Sequence, residues 1–272
     1  MNAPGSDTLF VGSIPELYDT LVVPLIFQPY ADDMARRVAV LAPLRVLETA
    51  AGTGVVTRAM ARALPAHVAI VATDLNQPML NRAAVVGAGR DVHWQQADAM
   101  QLPFDDASFD AVVCQFGAMF FPDKAHAFAQ ARRVLRPGGT LLFNVWDRLE
   151  DNELADLATA TLAGLFPADP PRFMARTPHG WFDTAVIARE VASAGFTEPA
   201  RIDTVTARSR AASARVAAMA YCQGTPLRNE IETRQGVTLS QATAACEAAF
   251  TKRFGTGEID TKIQAHVVTV RR

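Results

Sequence analysis

The segment Arg45–Gly54 restricts the fold of this chain more than any other segment does. Val46 and Leu47 form a short apolar run typical of a buried strand, and the acidic Glu48 follows them. A turn of small residues comes next and leads directly into a helical pattern at Val55–Leu64. An α/β protein uses this order of elements to bring backbone N–H groups close to a nucleotide-like ligand. The segment therefore predicts an α/β fold with a ligand site where this strand ends.

Short apolar strands and helical patterns continue to alternate after this turn. The predicted strands are Arg45–Thr49, Val68–Thr73, Val92–Gln96, Phe109–Phe116, Thr140–Val145, Phe196–Ala207 and Ile263–Val270. The predicted helices between them are Val55–Leu64, Gln77–Val86, Asp123–Leu135, Asp151–Leu165 and Thr184–Ala194. Such alternation is typical of a parallel sheet that is covered by helices on both faces.

The N-terminal part of the chain is predicted to be a helical cover over residues 1–43. A flexible lead at residues 1–13 precedes a helix at Ile14–Leu41. We expect this helix to be interrupted near Pro24 and Pro29, because proline lacks the N–H group that an α-helix requires.

Residues 44–272 are predicted to form one domain, since a chain of 272 residues with 50% hydrophobic content suffices for one large domain. A helical, alanine-rich block at about 209–257 falls between the last two predicted strands. We interpret this block as an insertion that forms a lid.

Composition argues against several classes of partner. The net charge of −2 and the lack of a basic run argue against nucleic acid. The three cysteines are too widely spaced for a metal motif or a disulfide framework, so no metal is expected. The N-terminus does not resemble a signal peptide, and no apolar run is long enough to span a bilayer. We therefore expect a cytoplasmic protein.

The small-residue turn also distinguishes between two cofactors. Dinucleotide sites favour a glycine at the third motif position, where this chain has Thr57 behind Gly52 and Gly54. An anionic pyrophosphate would be repelled by Glu48 at the end of the strand, whereas a cationic group would not. The turn therefore favours S-adenosylmethionine, which carries a sulfonium and an ammonium group but no phosphate, over NAD.

Five sequence motifs follow one another along the chain. They are Val46–Gly54, Ala72–Leu80, Gln96–Phe104, Ser108–Phe116 and Arg133–Leu141. Over roughly residues 44–146 the chain resembles class I S-adenosylmethionine-dependent methyltransferases, in the group similar to the ubiquinone/menaquinone-biosynthesis enzymes. One departure is Ala50, where members of this family usually have glycine, and we expect a slightly tighter fit there.

The resemblance implies a Rossmann-like, doubly wound and mostly parallel seven-stranded sheet whose last strand is antiparallel. It also implies transfer of a methyl group by in-line displacement to a small, partly hydrophobic acceptor. A protein that binds S-adenosylmethionine without turnover is the first alternative. An NAD-dependent oxidoreductase is a weaker one, because the chain lacks its glycine pattern and a Tyr-x-x-x-Lys pair. A homodimer is expected.

The resemblance also assigns the nucleoside end of the cofactor. Asp74 would accept hydrogen bonds from the ribose hydroxyls, with a helix N-cap as its alternative role. Asp98 and the N–H group of Ala99 would bind adenine, and a solvated loop acid is the alternative role of Asp98. Leu75 and Met79 would sandwich the ring, and for Met79 core packing is the alternative.

The amino-acid end of the cofactor is assigned in the same way. Glu48 would face the ammonium group, and the backbone carbonyl of Gln115 would lie nearby. Tyr18 would place its hydroxyl near the cofactor carboxylate, although packing is as good an explanation for it. The turn itself would supply Ala50, Gly52 and Gly54.

The acceptor pocket and the catalytic residues are less constrained by the sequence. Aromatic candidates for the pocket are Phe116, Phe120, Trp146, Trp181 and Tyr221, and each of them can instead be a packing residue. A general base is required only if the acceptor must lose a proton. His179 is the best candidate for that base, although a structural role is favoured.

Overall fold

The protein is described by a computed structural model that covers residues 7–272, so the first six residues of the predicted lead lie outside the described residues. Its sheet contains β1 (Arg45–Glu48), β2 (Ala69–Asp74), β3 (His93–Gln96), β4 (Phe109–Gln115), β5 (Leu135–Trp146), β6 (Arg201–Ala211) and β7 (Ile259–Arg271). The seven strands of this described part follow the order β3-β2-β1-β4-β5-β7-β6. Strands β1 to β5 pair in parallel, and β7 is antiparallel to β5. The predicted Rossmann-like fold is confirmed.

Helices flank the sheet and connect its strands. They are α1 (Ile14–Leu17), α2 (Gln28–Val40), α3 (Val55–Ala63), α4 (Gln77–Val86), α5 (Lys124–Val134), α6 (Glu153–Leu165), α7 (Phe173–Arg176), α8 (Thr184–Ser193), α9 (Ala214–Gln223), α10 (Leu227–Glu232) and α11 (Leu239–Phe254). A π-helix, Tyr18–Phe27, joins α1 to α2, and 3₁₀ turns occur at Ala118–Phe120 and Leu149–Asp151. None of the helices in the described residues has both the length and the apolar character needed to cross a membrane.

The predicted interruptions of the N-terminal helix are wrong. The chain stays helical through Pro24 and Pro29, but its hydrogen bonding changes to the π type. Gln28 N–H donates to the Val23 carbonyl, five residues earlier, and Pro24 lies within this wider helix. Pro29 falls in the first turn of α2, where a missing N–H group is tolerated.

Strand β5 begins earlier than predicted. Phe109 pairs with Leu135 and Ala111 pairs with Thr140, so β5 carries extra residues between these two pairs. This irregularity contains the predicted glycine turn, in which Gly138 has a φ of +79°. The turn prediction was therefore right in its local geometry but wrong in placing the segment outside the strand.

The last two strands have different bounds from those predicted: β6 starts at Arg201 instead of Phe196 and ends later, and β7 is longer at both ends. Strand β6 continues to Ala211, so the first residues of the predicted helical block, from Ser209, are extended. Strand β7 starts at Ile259 rather than at Ile263. Arg208 Nε donates to Asp260 Oδ1 at 2.6 Å across the two strands, and such cross-strand charge pairs stabilise extended pairing. Hydrophobic periodicity does not report these charged pairs.

The chain divides into two compact units. The first comprises residues up to Gln28, Asp147–Gly180 and Thr206–Gln264, and it contains most of the added helices. The second comprises Pro29–Trp146, Trp181–Val205 and Ala265–Arg272. The expected domain boundary at residue 43 and the role of the block at 209–257 as a lid stay predictions.

A charge cluster around the buried Glu230 connects several segments of the first unit. Arg176 donates to Asp7 Oδ1 at 2.5 Å and to Glu230 Oε1 at 2.7 Å. Glu230 is almost fully buried, which alone would raise its pKa, but hydrogen bonds from Arg176 and from the Arg172 backbone hold the pKa below its usual range. This cluster connects α7 and α10 to the segment that precedes α1.

Candidate functional site

The turn between β1 and α3 lies at the carboxyl ends of the parallel strands. Ala50, Gly52 and Gly54 have φ values of +51°, +57° and +85°. A Cβ atom at Gly54 would lie 2.8 Å from the Trp94 ring, so glycine is required there. Ala51 N–H donates to the Thr73 carbonyl at 2.9 Å and thereby connects the turn to β2. The small residues that the sequence singled out therefore form one tight, left-handed turn.

Ala50 is unusual in this turn because it is not glycine. A left-handed conformation costs an L-residue about 1–2 kcal/mol relative to glycine. Its methyl group faces Gly117, where an added Cβ atom would lie only 2.3 Å from Ala50 Cβ. Ala50 thus makes a close contact with the segment that follows β4.

Asp74 joins the turn to the end of β2. Its Oδ2 accepts from Gly52 N–H at 2.8 Å, and its Oδ1 accepts from Asn76 N–H at 2.7 Å. Burial raises the pKa of this carboxyl, while these hydrogen bonds act in the opposite direction. The N-cap of α4 is Asn76, so the alternative role of Asp74 as that N-cap is not found.

Glu48 is a buried acid at the end of β1, with 1% of its surface exposed. Its Oε2 accepts from the Thr57 hydroxyl at 2.5 Å. Burial raises the pKa of Glu48 to about 8, so the group holds a proton at neutral pH. Thr57 occupies the motif position where a dinucleotide site has glycine, and its hydroxyl forms the hydrogen bond to Glu48. A buried, neutral acid of this kind can lose its proton when a cation approaches.

The residues assigned to adenine lie on the loops after β2 and β3. The side chain of Leu75 is 51% exposed, and Asp98 is also exposed, with Oδ1 accepting from Met100 N–H at 2.8 Å. Ala99 is partly exposed, whereas Met79 is buried in α4. Leu75, Asp98 and Ala99 are accessible to a ring, and the burial of Met79 favours its alternative role in core packing.

The end of β4 combines a strained backbone with an aromatic cluster. Gln115 is buried and ends the strand, and Phe116 after it has a φ of +51°. The Phe116 ring stacks on Trp146 with centroids 3.9 Å apart, and Tyr30 packs edge-on against both rings at 5.3 and 5.4 Å. A bulky residue with positive φ is a rare outlier that often marks a functional site. The structure therefore brings together Phe116 and Trp146 of the predicted acceptor residues.

Trp181 lies elsewhere, on the other face of the sheet. Its ring stacks against Phe143 and Phe128, with centroids 6.3 and 6.1 Å away. Phe143 and Trp146 are three residues apart in β5, and side chains alternate along a strand, so they point to opposite faces. This position favours packing for Trp181. Phe120, in the 3₁₀ turn after β4, is partly exposed.

Two further predicted residues, Tyr18 and Tyr221, belong to the first compact unit. Tyr18 lies in the π-helix, where its ring packs against Phe10 and Phe27 at 5.8 and 5.2 Å. Tyr221 is buried in α9, and burial raises its pKa. Their roles toward a ligand stay predictions.

His179 also belongs to this first unit, and its environment weakens it as a base. It is 4% exposed, and its Nδ1 lies 2.8 Å from the Asp147 carbonyl oxygen. Because a carbonyl only accepts hydrogen bonds, Nδ1 carries the proton. Burial lowers the pKa of His179 to about 4, so the ring has little affinity for a further proton. These contacts favour the structural role.

Sequence reasoning missed Asn144, which lies on β5 between apolar neighbours and is fully buried. Its Oδ1 accepts from Phe116 N–H at 2.9 Å. The only signal was a polar residue inside the apolar run Leu141–Trp146. Within the described residues, no group of three or more His, Cys, Asp or Glu side chains is placed to hold a metal ion.

Part of the chain is similar to known methyltransferases. Residues 47–143 match the family model for a methyltransferase domain. A demethylmenaquinone methyltransferase of Deinococcus radiodurans is 39% identical over 102 residues, which make up 37% of this chain and 42% of that protein. A ubiquinone/menaquinone biosynthesis C-methyltransferase, UbiE, of Saccharophagus degradans is 40% identical over 102 residues, or 36% of this chain and 41% of that protein. The chain thus matches about two fifths of the length of these relatives.

The fold is also similar to that of a solved structure. The YcgJ protein from Bacillus subtilis superimposes with a TM-score of 0.56 and 18% identity, over 90% of this chain and 98% of that chain. At this identity the likeness concerns the fold alone. It agrees with the seven-stranded mixed sheet described above.

Proposed function

We propose that the whole chain is a small-molecule methyltransferase that uses S-adenosylmethionine, on the basis that residues 47–143 match the family model for a methyltransferase domain. The reaction is transfer of a methyl group from S-adenosylmethionine to a small, partly hydrophobic acceptor. The observation that carries the proposal is the pair of buried carboxyl groups, Glu48 and Asp74, on either side of the left-handed turn.

The chemistry of these residues fits S-adenosylmethionine. Asp74 already accepts two backbone N–H groups, and its carboxylate has further lone pairs for the ribose hydroxyls. Glu48 would ionise beside the cofactor's ammonium group and form a charge-assisted contact. The third motif position, where a dinucleotide site has glycine, is occupied by Thr57, which argues against the NAD alternative.

The adenine ring has a separate set of partners in this proposal. Leu75 offers an exposed apolar surface for one face of the ring. Asp98 Oδ1 accepts from Met100 N–H. The other carboxylate oxygen, Oδ2, would accept a hydrogen bond from the adenine amino group. The N–H group of Ala99 would donate to a ring nitrogen. The backbone carbonyl of Gln115 would accept from the ammonium group at the other end of the cofactor.

Methyl transfer from this cofactor requires little help from side chains. S-adenosylmethionine supplies an activated methyl group on a good leaving group. The task of the protein is to align the acceptor with that methyl group and to exclude water. The buried rings of Phe116 and Trp146 serve the exclusion of water. We assign no general base, since the pKa of His179, about 4, makes it a poor one.

The chemical class of the acceptor is proposed on two grounds. The aromatic residues near the end of β4 favour a partly apolar molecule. The printed names of the two relatives refer to menaquinone and ubiquinone biosynthesis, so quinone precursors are the first acceptors to test. The cytoplasmic location and the homodimer stay predictions.

Calorimetric titration with S-adenosylmethionine, S-adenosylhomocysteine and NAD tests the cofactor. We expect micromolar binding of the first two and none of NAD. Binding of NAD alone would overturn the proposal. Formation of S-adenosylhomocysteine with an acceptor then separates an enzyme from the alternative, a protein that binds the cofactor without turnover.

Glu48 leads to a pH-dependent prediction. In the free chain its pKa of about 8 keeps it protonated, whereas beside an ammonium group it would be ionised. Binding then releases a proton, so affinity for S-adenosylmethionine should rise with pH, by up to about tenfold per unit between about pH 6 and 7.5. Above that range the ligand's own amino group loses its charge, since its pKa is about 7.7–8.0.

The Glu48→Gln variant is the control for this prediction. Glutamine retains the size of the side chain and can still accept from Thr57, but it does not titrate. Calorimetry across the same pH range should therefore show a flat profile for this variant. Equal slopes for both proteins would mean that Glu48 does not face the ammonium group.

A further inference from the structure

The segment Phe116–Met119, here called the β4 corner, is bound to the end of β5 by the backbone N–H groups of Phe116 and Trp146. Phe116 N–H donates to Asn144 Oδ1 at 2.9 Å and also to the backbone carbonyl of Asn144 at 3.2 Å. Trp146 N–H donates to the Met119 sulfur at 3.4 Å. Asn144 and Trp146, which are two residues apart on β5, thus both bind the β4 corner.

The left-handed backbone of Phe116 decides where its ring points. Along β4, Cys114 shares a face with Phe143, its partner on β5. By simple alternation the ring of Phe116 would lie on that same face. Instead it stacks on Trp146, which lies on the opposite face. The positive φ therefore turns the ring to the other face of the sheet, and the bond that Phe116 N–H donates to Asn144 Oδ1 holds the backbone in that conformation.

The corner also touches the turn Ala50–Gly54, here called the cofactor turn after its proposed role. Gly117 packs so closely against Ala50 that a Cβ atom at Gly117 would lie 2.3 Å from Ala50 Cβ. Any change in the path of the corner is therefore transmitted to Ala50 and to the end of β4 at Gln115.

The side chain of Asn144 is costly to bury. Because a backbone N–H group can only donate, the atom that binds Phe116 must be the carboxamide oxygen, which fixes the orientation of the group. The amide nitrogen, Nδ2, is then buried and has no hydrogen-bond partner among the residues that the structure describes. A leucine at this position would avoid that penalty but would lose the side-chain bond, and Phe116 N–H would keep only its longer bond to the backbone carbonyl of residue 144. The oxygen is thus the useful part of this side chain.

We propose that Asn144 is a positioning residue for methyl transfer, which acts through Phe116 N–H to hold the β4 corner against the cofactor turn. The inference rests on the proposed function, because the corner matters through the amino-acid end of S-adenosylmethionine. In this arrangement Asn144 sets the direction of the Gln115 carbonyl and the position of Ala50. Asn144 itself touches no reacting atom.

Two ligands, one with and one without the amino-acid end of the cofactor, distinguish a positioning role of Asn144 from general structural support. S-adenosylhomocysteine carries the amino-acid end, whereas 5′-methylthioadenosine has the same nucleoside and sulfur without it. The Asn144→Leu variant should bind S-adenosylhomocysteine about tenfold more weakly, the value of one lost hydrogen bond. Its affinity for 5′-methylthioadenosine should stay within about twofold, since the Asp74 and Asp98 regions are unchanged.

Rescue and control variants complete the experiment. Asn144→Asp keeps an acceptor oxygen for Phe116 N–H and should recover most of the affinity for S-adenosylhomocysteine. Asn152→Leu is the matched control, because Asn152 is another buried asparagine that binds backbone groups, and it lies in the first unit. It should change neither affinity. If Asn144→Leu does not fold, Asn144→Ser is used, since its side chain is too short to reach Phe116.

The possible results are distinguishable. Equal weakening of both ligands, or no weakening of either, would overturn the role of Asn144 as a positioning residue. Failure of the wild-type chain to bind either ligand would instead overturn the proposed function.

Discussion

Replacing Asp74 by alanine should weaken the binding of S-adenosylmethionine about 5- to 150-fold, which corresponds to about 1–3 kcal/mol. The carboxylate sits at the end of β2 with its two oxygens anchored by Gly52 and Asn76 N–H groups. These bonds hold it in a fixed orientation, so little side-chain entropy is lost when the ribose hydroxyls bind. Hydrogen bonds to a charged acceptor are about twice as strong as neutral ones. Calorimetric titration measures the effect directly.

Two further variants make this result interpretable. Asp74→Asn keeps the shape and one acceptor oxygen, so its affinity should lie between those of wild type and Asp74→Ala. Asp105→Ala removes an exposed acid from a loop and should have no effect. Melting temperatures show whether the loss of the bonds to Gly52 and Asn76 has loosened the turn. An unchanged affinity in a folded Asp74→Ala variant would remove this residue from the site.

The elements that sequence reasoning found correctly are those with strong local signals. Strands β2 and β4 consist mostly of apolar residues, β1 has an apolar pair at Val46 and Leu47, and α4 begins and ends at the predicted residues. The errors arise where another interaction dominates. Pro24 lies within a helix because the hydrogen bonding changed to the π type. Strand β6 continues through charged residues because Arg208 pairs with Asp260 on the neighbouring strand.

In the candidate site, too, the residues with local sequence signals were predicted and those that depend on packing were not. Glu48 and Asp74 could be placed because parallel strands end at one edge of a sheet, so acids at strand ends converge there. The bond between Thr57 and Glu48 depends on the packing of α3 and has no local signal. The ring of Phe116 changes face because of one positive φ, which no periodicity encodes. Aromatic residues alone did not locate the acceptor pocket in the sequence, since Trp181 and Trp146 lie on opposite faces of the sheet.

Replacing Gly117 by alanine should destabilise the chain by about 1–3 kcal/mol, the usual cost of overpacking a core. The new Cβ atom would lie 2.3 Å from Ala50 Cβ and 2.9 Å from the Cys114 sulfur. Both distances are far below van der Waals contact, so either the β4 corner or the cofactor turn must move. S-adenosylhomocysteine should also bind more weakly, because both segments belong to the proposed site. Denaturant unfolding and calorimetry measure the two effects.

A double-mutant cycle with Ala50→Gly identifies the contact responsible. Ala50→Gly removes the methyl group that Gly117→Ala would meet, and it also relieves a left-handed alanine. The double variant should therefore be more stable than the sum of the single changes predicts, by more than about 0.5 kcal/mol. The rescue should be incomplete because the clash with Cys114 remains. Gly164→Ala is the control, since an added Cβ meets nothing within 4 Å there and alanine favours the helix. Strict additivity in the cycle would mean that Ala50 and Gly117 do not touch, and the coupling between the β4 corner and the cofactor turn would be lost.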